Sequence, residues 1–200
     1  MNCFVCDQPL INNPTTNQYL TYTCPECGMY FQEQGLTLDE EQARYELHNN
    51  IPDPAYVGMF EKILTTIGPF IHGEVLDFGS GQYNVLAQLL ESRYSVTSYD
   101  LFFHPIVLST YDTVIAIEVV EHFKDPLSEW QKLTSLLHPG AHLIVQTRFV
   151  EEPFISWWYQ RDPTHRVFYT KKGLERLAQK LGLTVTFSNN HSIMVLTRGM

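Results

Sequence analysis

Four cysteines stand in two pairs at the start of the chain, Cys3-x2-Cys6 and Cys24-x2-Cys27, and none occurs after Cys27. Each pair can bend tightly enough to offer two thiolates to one ion, and four sulfurs make a closed tetrahedral shell that suits structural Zn²⁺. A closed shell leaves no position for water or substrate, so this metal is expected to fold its module and do no chemistry. Two disulfides, or buried thiols without a ligand, are the alternatives, less favoured in a chain that reads as cytoplasmic.

A second group is Asp77-x-Gly79-x-Gly81, which comes after the strand-like run Glu74-Val-Leu-Asp-Phe78 and precedes a helix-like one. Glycines there let the backbone approach a ligand closely, and the helix after them directs free N–H groups at it. Position 84 is Asn, where a dinucleotide fingerprint would carry its third glycine, and this disfavours close packing on a pyrophosphate. Asp100 ends the next strand-like run, where a carboxylate can accept hydrogen bonds from both ribose hydroxyls. Asp77, at a strand end, suits a cationic or amine-bearing ligand. A nucleoside with a positive, phosphate-free side arm meets all three conditions, and S-adenosylmethionine is such a molecule.

The third group is His122 and His165, whose near-neutral intrinsic pKa suits taking a proton from an acceptor. His122 reads about as well as a structural histidine, His165 slightly less so, and His48 is a weaker third candidate. Glu118-x-x-Glu121-His122 also offers two carboxylates and an imidazole to a divalent cation. The plainer reading of that run is a helix start with solvated carboxylates.

These residues need elements to hold them. Residues 1–35 hold the cysteines, with Gln18–Thr23 and Met29–Gln32 as hairpin strands. Residues 36–70 form a helical linker or cover, with one helix over Leu38–Leu47 and another from about Ala55 to Ile67. Residues 71–200 alternate: strand Glu74–Phe78, helix Asn84–Ser92, strand Val96–Asp100, strand Thr113–Ile117, helix Leu127–Leu137 stopped by His138-Pro-Gly140, and strand His142–Gln146. Such alternation predicts a parallel α/β sheet with right-handed crossovers. A last helix, Thr170–Leu181, precedes strands Thr184–Ser188 and Ser192–Thr197. Asn189-Asn190 between them predicts an antiparallel terminal hairpin. Trp157, Trp158, Tyr159 and Phe168 are candidates for an apolar wall over the site or for core, with Arg148, Arg161 and Arg166 interspersed.

The chain of 200 residues is 44% hydrophobic and 18% charged, enough to bury a core in one ordinary domain with a small appendage. Its net charge of −9, from 22 acidic against 13 basic side chains, builds in no attraction to phosphate backbones. Residues 1–35 carry no Lys or Arg and three acids, Asp7, Glu26 and Glu33, which makes them a poor reader of nucleic acid. No run reaches the ~18 apolar residues of a membrane span. The expected setting is cytoplasmic, without a membrane partner.

Together, Val75-Leu-Asp-Phe-Gly-Ser-Gly81, Tyr99-Asp-Leu101, Tyr111–His122, Leu137–Val145 and Asp162-Pro-Thr-His165 resemble the class I S-adenosylmethionine-dependent methyltransferases, nearest the ubiquinone-biosynthesis O-methyltransferase branch. The first 35 residues resemble a zinc ribbon. The resemblance implies a Rossmann-like, mostly parallel sheet over roughly residues 55–200. It implies that Asp77 and the backbone of Gly79 and Gly81 hold the methionine portion, Asp100 the ribose and Leu101 the adenine, with Glu118 and Val119 near the sulfonium. It also implies a divalent cation at Glu118, Glu121 and His122 that positions a catechol-like acceptor. Only ten residues, 101–110, stand where the family has a helix, a strand and an adenine-contacting loop, leaving room for a third strand only at about Pro105–Leu108. Phe102 and Phe103 are candidates to cover the adenine instead.

The function expected is methyl transfer from S-adenosylmethionine to a small-molecule acceptor by in-line displacement. The alternatives are a non-catalytic zinc-ribbon adaptor with a degenerate methyltransferase fold, and an RNA methyltransferase. A homo-oligomer is compatible with the sequence.

Overall fold

Three apolar runs, Val75-Leu76, Val114–Ala116 and Leu143–Val145, are fully buried, as central parallel strands covered on both faces must be. A computed structural model of the chain describes residues 1–13, 19–33, 36–47, 53–106 and 109–200. The three runs lie in β4 (Glu74–Phe78), β6 (Tyr111–Ile117) and β7 (Leu137–Gln146). With β5 (Ser95–Tyr99), β9 (Leu183–Ser188) and β10 (Ile193–Arg198) they form a six-stranded sheet in the order β5-β4-β6-β7-β10-β9. Neighbours from β5 to β7 are parallel, and β10 runs antiparallel to both β7 and β9. This is the expected α/β sheet with a terminal hairpin, and Asn190 takes the positive φ of 64° that its turn needs.

Alternation along the strands sorts the core into two layers. Val75, Ile115, Ile117, Ile144 and Val195 face α2 (Pro54–Ile67) and α3 (Val85–Leu90). Leu76, Val114, Ala116, Leu143, Val145 and Met194 face α4 (Pro126–Ser135) and α5 (Lys171–Lys180). Asp53 caps α2 by accepting the Tyr56 N–H, and Thr170 caps α5 by accepting that of Gly173.

Two expectations are corrected. His138-Pro139-Gly140 does not lie between a helix and a strand but inside β7: Leu137 pairs with Tyr111 and His142 with Thr113, so the residues between them bulge, with Gly140 at φ 80°. The third strand does not form among the described residues. Pro105 and Ile106 are irregular, and residues 107 and 108 lie outside the described residues, as do Gln18 and His48. The chain instead leaves β5 in a tight turn, closed by a bridge between Asp100 and His104.

The N-terminal segment builds a second sheet, β1 (Ile11–Asn13), β2 (Thr21–Thr23) and β3 (Tyr30–Gln32), all antiparallel. β3 pairs further with β8 (Val167–Phe168), so a strand from the C-terminal part completes the N-terminal sheet. Cys3, Cys24, Cys27, Met29 and Phe31 share one apolar cluster with Trp130, Leu174 and Leu177. The segment's acids meet the basic side of α5: Arg176 and Lys172 pair with Glu26, and Lys180 with Asp7 at 3.3 Å. No helix among the described residues is long and apolar enough to cross a membrane.

Candidate active site

A cleft of about 670 Å³ opens at the carboxyl ends of β4, β5 and β6, where ligands bind open α/β sheets. Asp77, Gly79, Gly81, Asp100, Leu101, Glu118, Val119, His122 and His165 all line it.

The glycine turn after β4 has positive φ at both glycines, 79° at Gly79 and 65° at Gly81, a conformation that L side chains rarely adopt. A Cβ on Gly79 would stand 2.3 Å from Cγ2 of Val119, whereas a Cβ on Gly81 would meet nothing. Gly79 therefore packs the turn against Val119, just past the end of β6, and Gly81 leaves open space above it. The N–H groups of Gly79 and Ser80 donate to the Tyr99 carbonyl at 2.7 and 3.0 Å. Asp100 is more engaged than a ribose ligand need be. Its Oδ2 accepts the Gly81 N–H at 3.0 Å, and its Oδ1 accepts those of Phe102 and Phe103 at 2.9 and 3.2 Å. Leu101, 60% exposed, lies with Phe102 and Phe103 along the same edge.

Asp77 is 4% exposed, and its Oδ2 has no hydrogen-bond partner. Burial pushes its carboxyl up to about 7 against the Ala87 amide, and the nearby Asp100 charge adds to the rise. A buried carboxylate with an unpaired oxygen is costly unless a donor or cation joins it. The turn and this carboxylate thus fit the amine of a nucleoside's side arm.

At the far end, Glu118 holds a positive φ of 52° and accepts the Gln146 side-chain N–H at 2.8 Å. The Tyr159 hydroxyl lies 2.7 Å from Oε2 of Glu118 and 2.5 Å from Oε1 of the fully buried Glu121. One phenolic proton cannot serve both carboxylates. Burial, and then the facing Glu121, raise the Glu118 carboxyl to about 7. His122 Nδ1 donates to the Thr164 carbonyl at 3.2 Å and His165 Nδ1 to the Tyr159 carbonyl at 2.8 Å. A carbonyl only accepts, so both rings carry their proton on Nδ1 and keep a lone pair on Nε2. The rings meet edge to face with centroids 4.8 Å apart. Burial lowers the pKa of both, His165 to about 4, away from the near-neutral value their role as bases presumes. One nitrogen from each ring and one Glu121 oxygen lie within 4.8 Å of one another. Among the described residues, the set here that could hold a cation is therefore Glu121, His122 and His165, with His165 in the place expected of Glu118.

The four cysteine sulfurs also converge within 4.8 Å, with no disulfide and with Cys3 and Cys27 3.8 Å apart. Metal–sulfur bonds of ~2.3 Å give a tetrahedral edge of about 3.8 Å, so the four thiols fit a zinc shell. Arg176 donates to Cys6 Sγ at 3.5 Å, which would offset the charge of bound thiolates.

The family profile described as "Methyltransferase domain" matches residues 52–187, the stretch that builds the sheet and cleft. The chain belongs to the methyltransferase domain family. Known structures share the fold of this methyltransferase at low identity. The 1,6-didemethyltoxoflavin-N1-methyltransferase of Burkholderia thailandensis, solved with 1,6-didemethyltoxoflavin and S-adenosylhomocysteine, is 14% identical with a TM-score of 0.59, over 94% of this chain and 99% of that one. The mitomycin 7-O-methyltransferase MmcR is 14% identical with a TM-score of 0.62, over 80% of this chain and 59% of that one. CalO1, a methyltransferase in calicheamicin biosynthesis solved with S-adenosylhomocysteine, is 16% identical with a TM-score of 0.57, over 80% and 58%. This methyltransferase thus spans under two thirds of the last two. No curated protein matches it by sequence.

The sequence predicts a cover over residues 36–70 but not which of its side chains would meet the methyltransferase cleft. Helix α1 (Leu38–Leu47) is anchored on cleft residues: Glu41 pairs with Lys124 at 2.5 Å, Arg44 with Asp162 at 3.2 Å, and the Tyr45 ring meets His122 and Phe102. Its polar sequence, with no apolar stripe, was the available signal of a helix held by ion pairs. The aromatic wall divides: Trp158 lines the cleft, Trp157 and Phe168 fill a small core with Phe154, and Tyr159 belongs to both. Of the three arginines, Arg148 stacks on Trp158 at 5.1 Å.

Proposed function

We propose that the cleft binds S-adenosylmethionine and transfers its methyl group to a small-molecule acceptor by in-line displacement. The observation that carries this reading is Asp77: a buried carboxylate with an unpaired oxygen, beside the open Gly81 turn, in a methyltransferase-family chain. The cofactor supplies a methyl already activated on a sulfonium. Asp77 would accept its amine and the glycine turn would let the backbone approach its side arm. Asp100 shapes the turn and offers its remaining lone pair to the ribose, and Leu101, Phe102 and Phe103 form the apolar edge for the base. Glu118 and Val119 stand between this half and the acceptor half. There His122 and His165 line the acceptor half, while Tyr45, Tyr159 and Trp158 restrict water. Glu118, poised near neutrality, is the better-matched proton acceptor of the three.

The neighbours that act on toxoflavin- and mitomycin-type compounds support a small acceptor. Zn²⁺ at Cys3, Cys6, Cys24 and Cys27, in a ribbon over residues 1–35, is supported by the converging thiols. A divalent cation at Glu121, His122 and His165 would orient an acceptor with vicinal oxygens, in keeping with the ubiquinone-type branch.

Calorimetric titration with S-adenosylmethionine and S-adenosylhomocysteine tests the reading. Binding of both is expected. No heat from either at about 1 mM, weaker than ~4 kcal/mol, would overturn it and favour the adaptor reading.

A further inference from the structure

The N-terminal hairpin reaches the acceptor half of the cleft through Gln32, by its backbone and its side chain. Gln32, at the end of β3, is 5% exposed. Its backbone N–H donates to the Arg166 carbonyl at 2.8 Å and its Nε2 to the Gln160 carbonyl at 3.3 Å. These carbonyls bracket the loop 160–166, from which Asp162, Thr164 and His165 face the cleft. The same loop and its entry hold both imidazoles, by the Thr164 carbonyl on His122 and the Tyr159 carbonyl on His165. On the catalytic side the loop is tied back by the Arg166 N–H, which donates to the Glu121 carbonyl at 2.8 Å.

We propose that Gln32 is a positioning residue for the acceptor half of the site: by clamping both ends of the 160–166 loop it fixes the tautomer and orientation of His122 and His165. The N-terminal sheet is then a working part of the methyl-transfer site, and not only an appendage that stabilises the chain. This rests on the cleft being that site. The hydrogen bonds of Gln32 go to Gln160 and Arg166, and those of Asp100 to the glycine turn, so the cofactor half should be indifferent to it.

Gln32→Met keeps the side chain's length and the backbone bond to the Arg166 carbonyl, and removes the donor to the Gln160 carbonyl, so one end of the loop is released. In ¹⁵N-histidine spectra of the full chain, wild type should show protected Nδ1–H signals for His122 and His165. The variant should lose that protection at both, while its affinity for S-adenosylhomocysteine stays within about twofold. Tyr22→Phe, which removes a hydrogen bond from Tyr22 to Glu33 in the same hairpin but leaves the loop untouched, should keep both signals. Should Gln32→Met not fold, Gln32→Asn, with its amide drawn back by one carbon, is expected to give the same loss. Unchanged imidazole signals in a folded Gln32 variant, or equal loss in Tyr22→Phe, would overturn the proposal. If wild type bound no S-adenosylhomocysteine, the functional reading would fall, while the spectra would still report whether Gln32 sets the rings.

Discussion

The carboxylate of Asp100 accepts the backbone N–H of Gly81 at 3.0 Å, so the end of β5 holds the glycine turn of β4 in shape before any ligand arrives. Asp100→Ala leaves the N–H groups of Gly81, Phe102 and Phe103 without their acceptor, at a cost of about 1–3 kcal/mol each where water cannot replace it. We expect at least a tenfold loss of S-adenosylhomocysteine affinity together with a lower melting temperature. A variant that lost affinity with no change in melting would show that Asp100 serves the ligand alone.

Gly79 and Val119 are matched in size. Gly79→Ala would drive a methyl into Val119 and force a left-handed φ on a residue with a side chain. The expected loss is roughly 1–3 kcal/mol of stability. Val119→Ala in the same chain should recover only part of it, since the φ penalty remains. Full recovery in urea melts would mean that the contact, not the backbone, requires glycine.

Asp77 gives a pH signature of definite sign. Its carboxyl titrates at about 7 when folded, against ~3.9 in an unfolded chain. Between those values the folded protein holds a proton that the unfolded chain has released, so this group's contribution to stability falls as pH rises from about 4 to about 7. Above 7 the cost is complete. Asp77→Asn should therefore melt above wild type at about pH 8, by ~2–4 °C for each kcal/mol recovered, with the advantage shrinking toward about pH 5. The same variant should not bind S-adenosylmethionine. An advantage that grew as pH fell would contradict the assignment.

The thiol cluster should hold about one zinc per chain by emission spectrometry. Because the Cys27 carbonyl accepts from Thr170 at 2.6 Å and Cys6 from Arg176, stripping the metal should speed amide exchange in α5 as well as in β2 and β3. Two disulfides and no zinc would refute the site.

Much of this is legible locally. The buried runs Val75-Leu76, Val114–Ala116 and Leu143–Val145, the cap Thr170, and the glycines after β4 each write their element or turn into a few adjacent residues, because periodicity, capping and φ are short-range properties. The start of β7 is misread for the same reason: Pro139 and Gly140 read as a stop, yet strand pairing on either side carries the bulge through them.

The sequence by itself determined the order of strands and helices, the cysteine quartet and the Asp77 turn with Asp100 after it. Only the tertiary structure decided that His165 joins Glu121 and His122, that Glu118 and Glu121 share the Tyr159 hydroxyl, that burial lowers the pKa of both imidazoles, and that Gln32 grips a loop more than a hundred residues away in sequence. Those facts depend on which surfaces meet and how much water they exclude. No local pattern carries that, since the partners of a buried polar group are chosen by packing between distant segments.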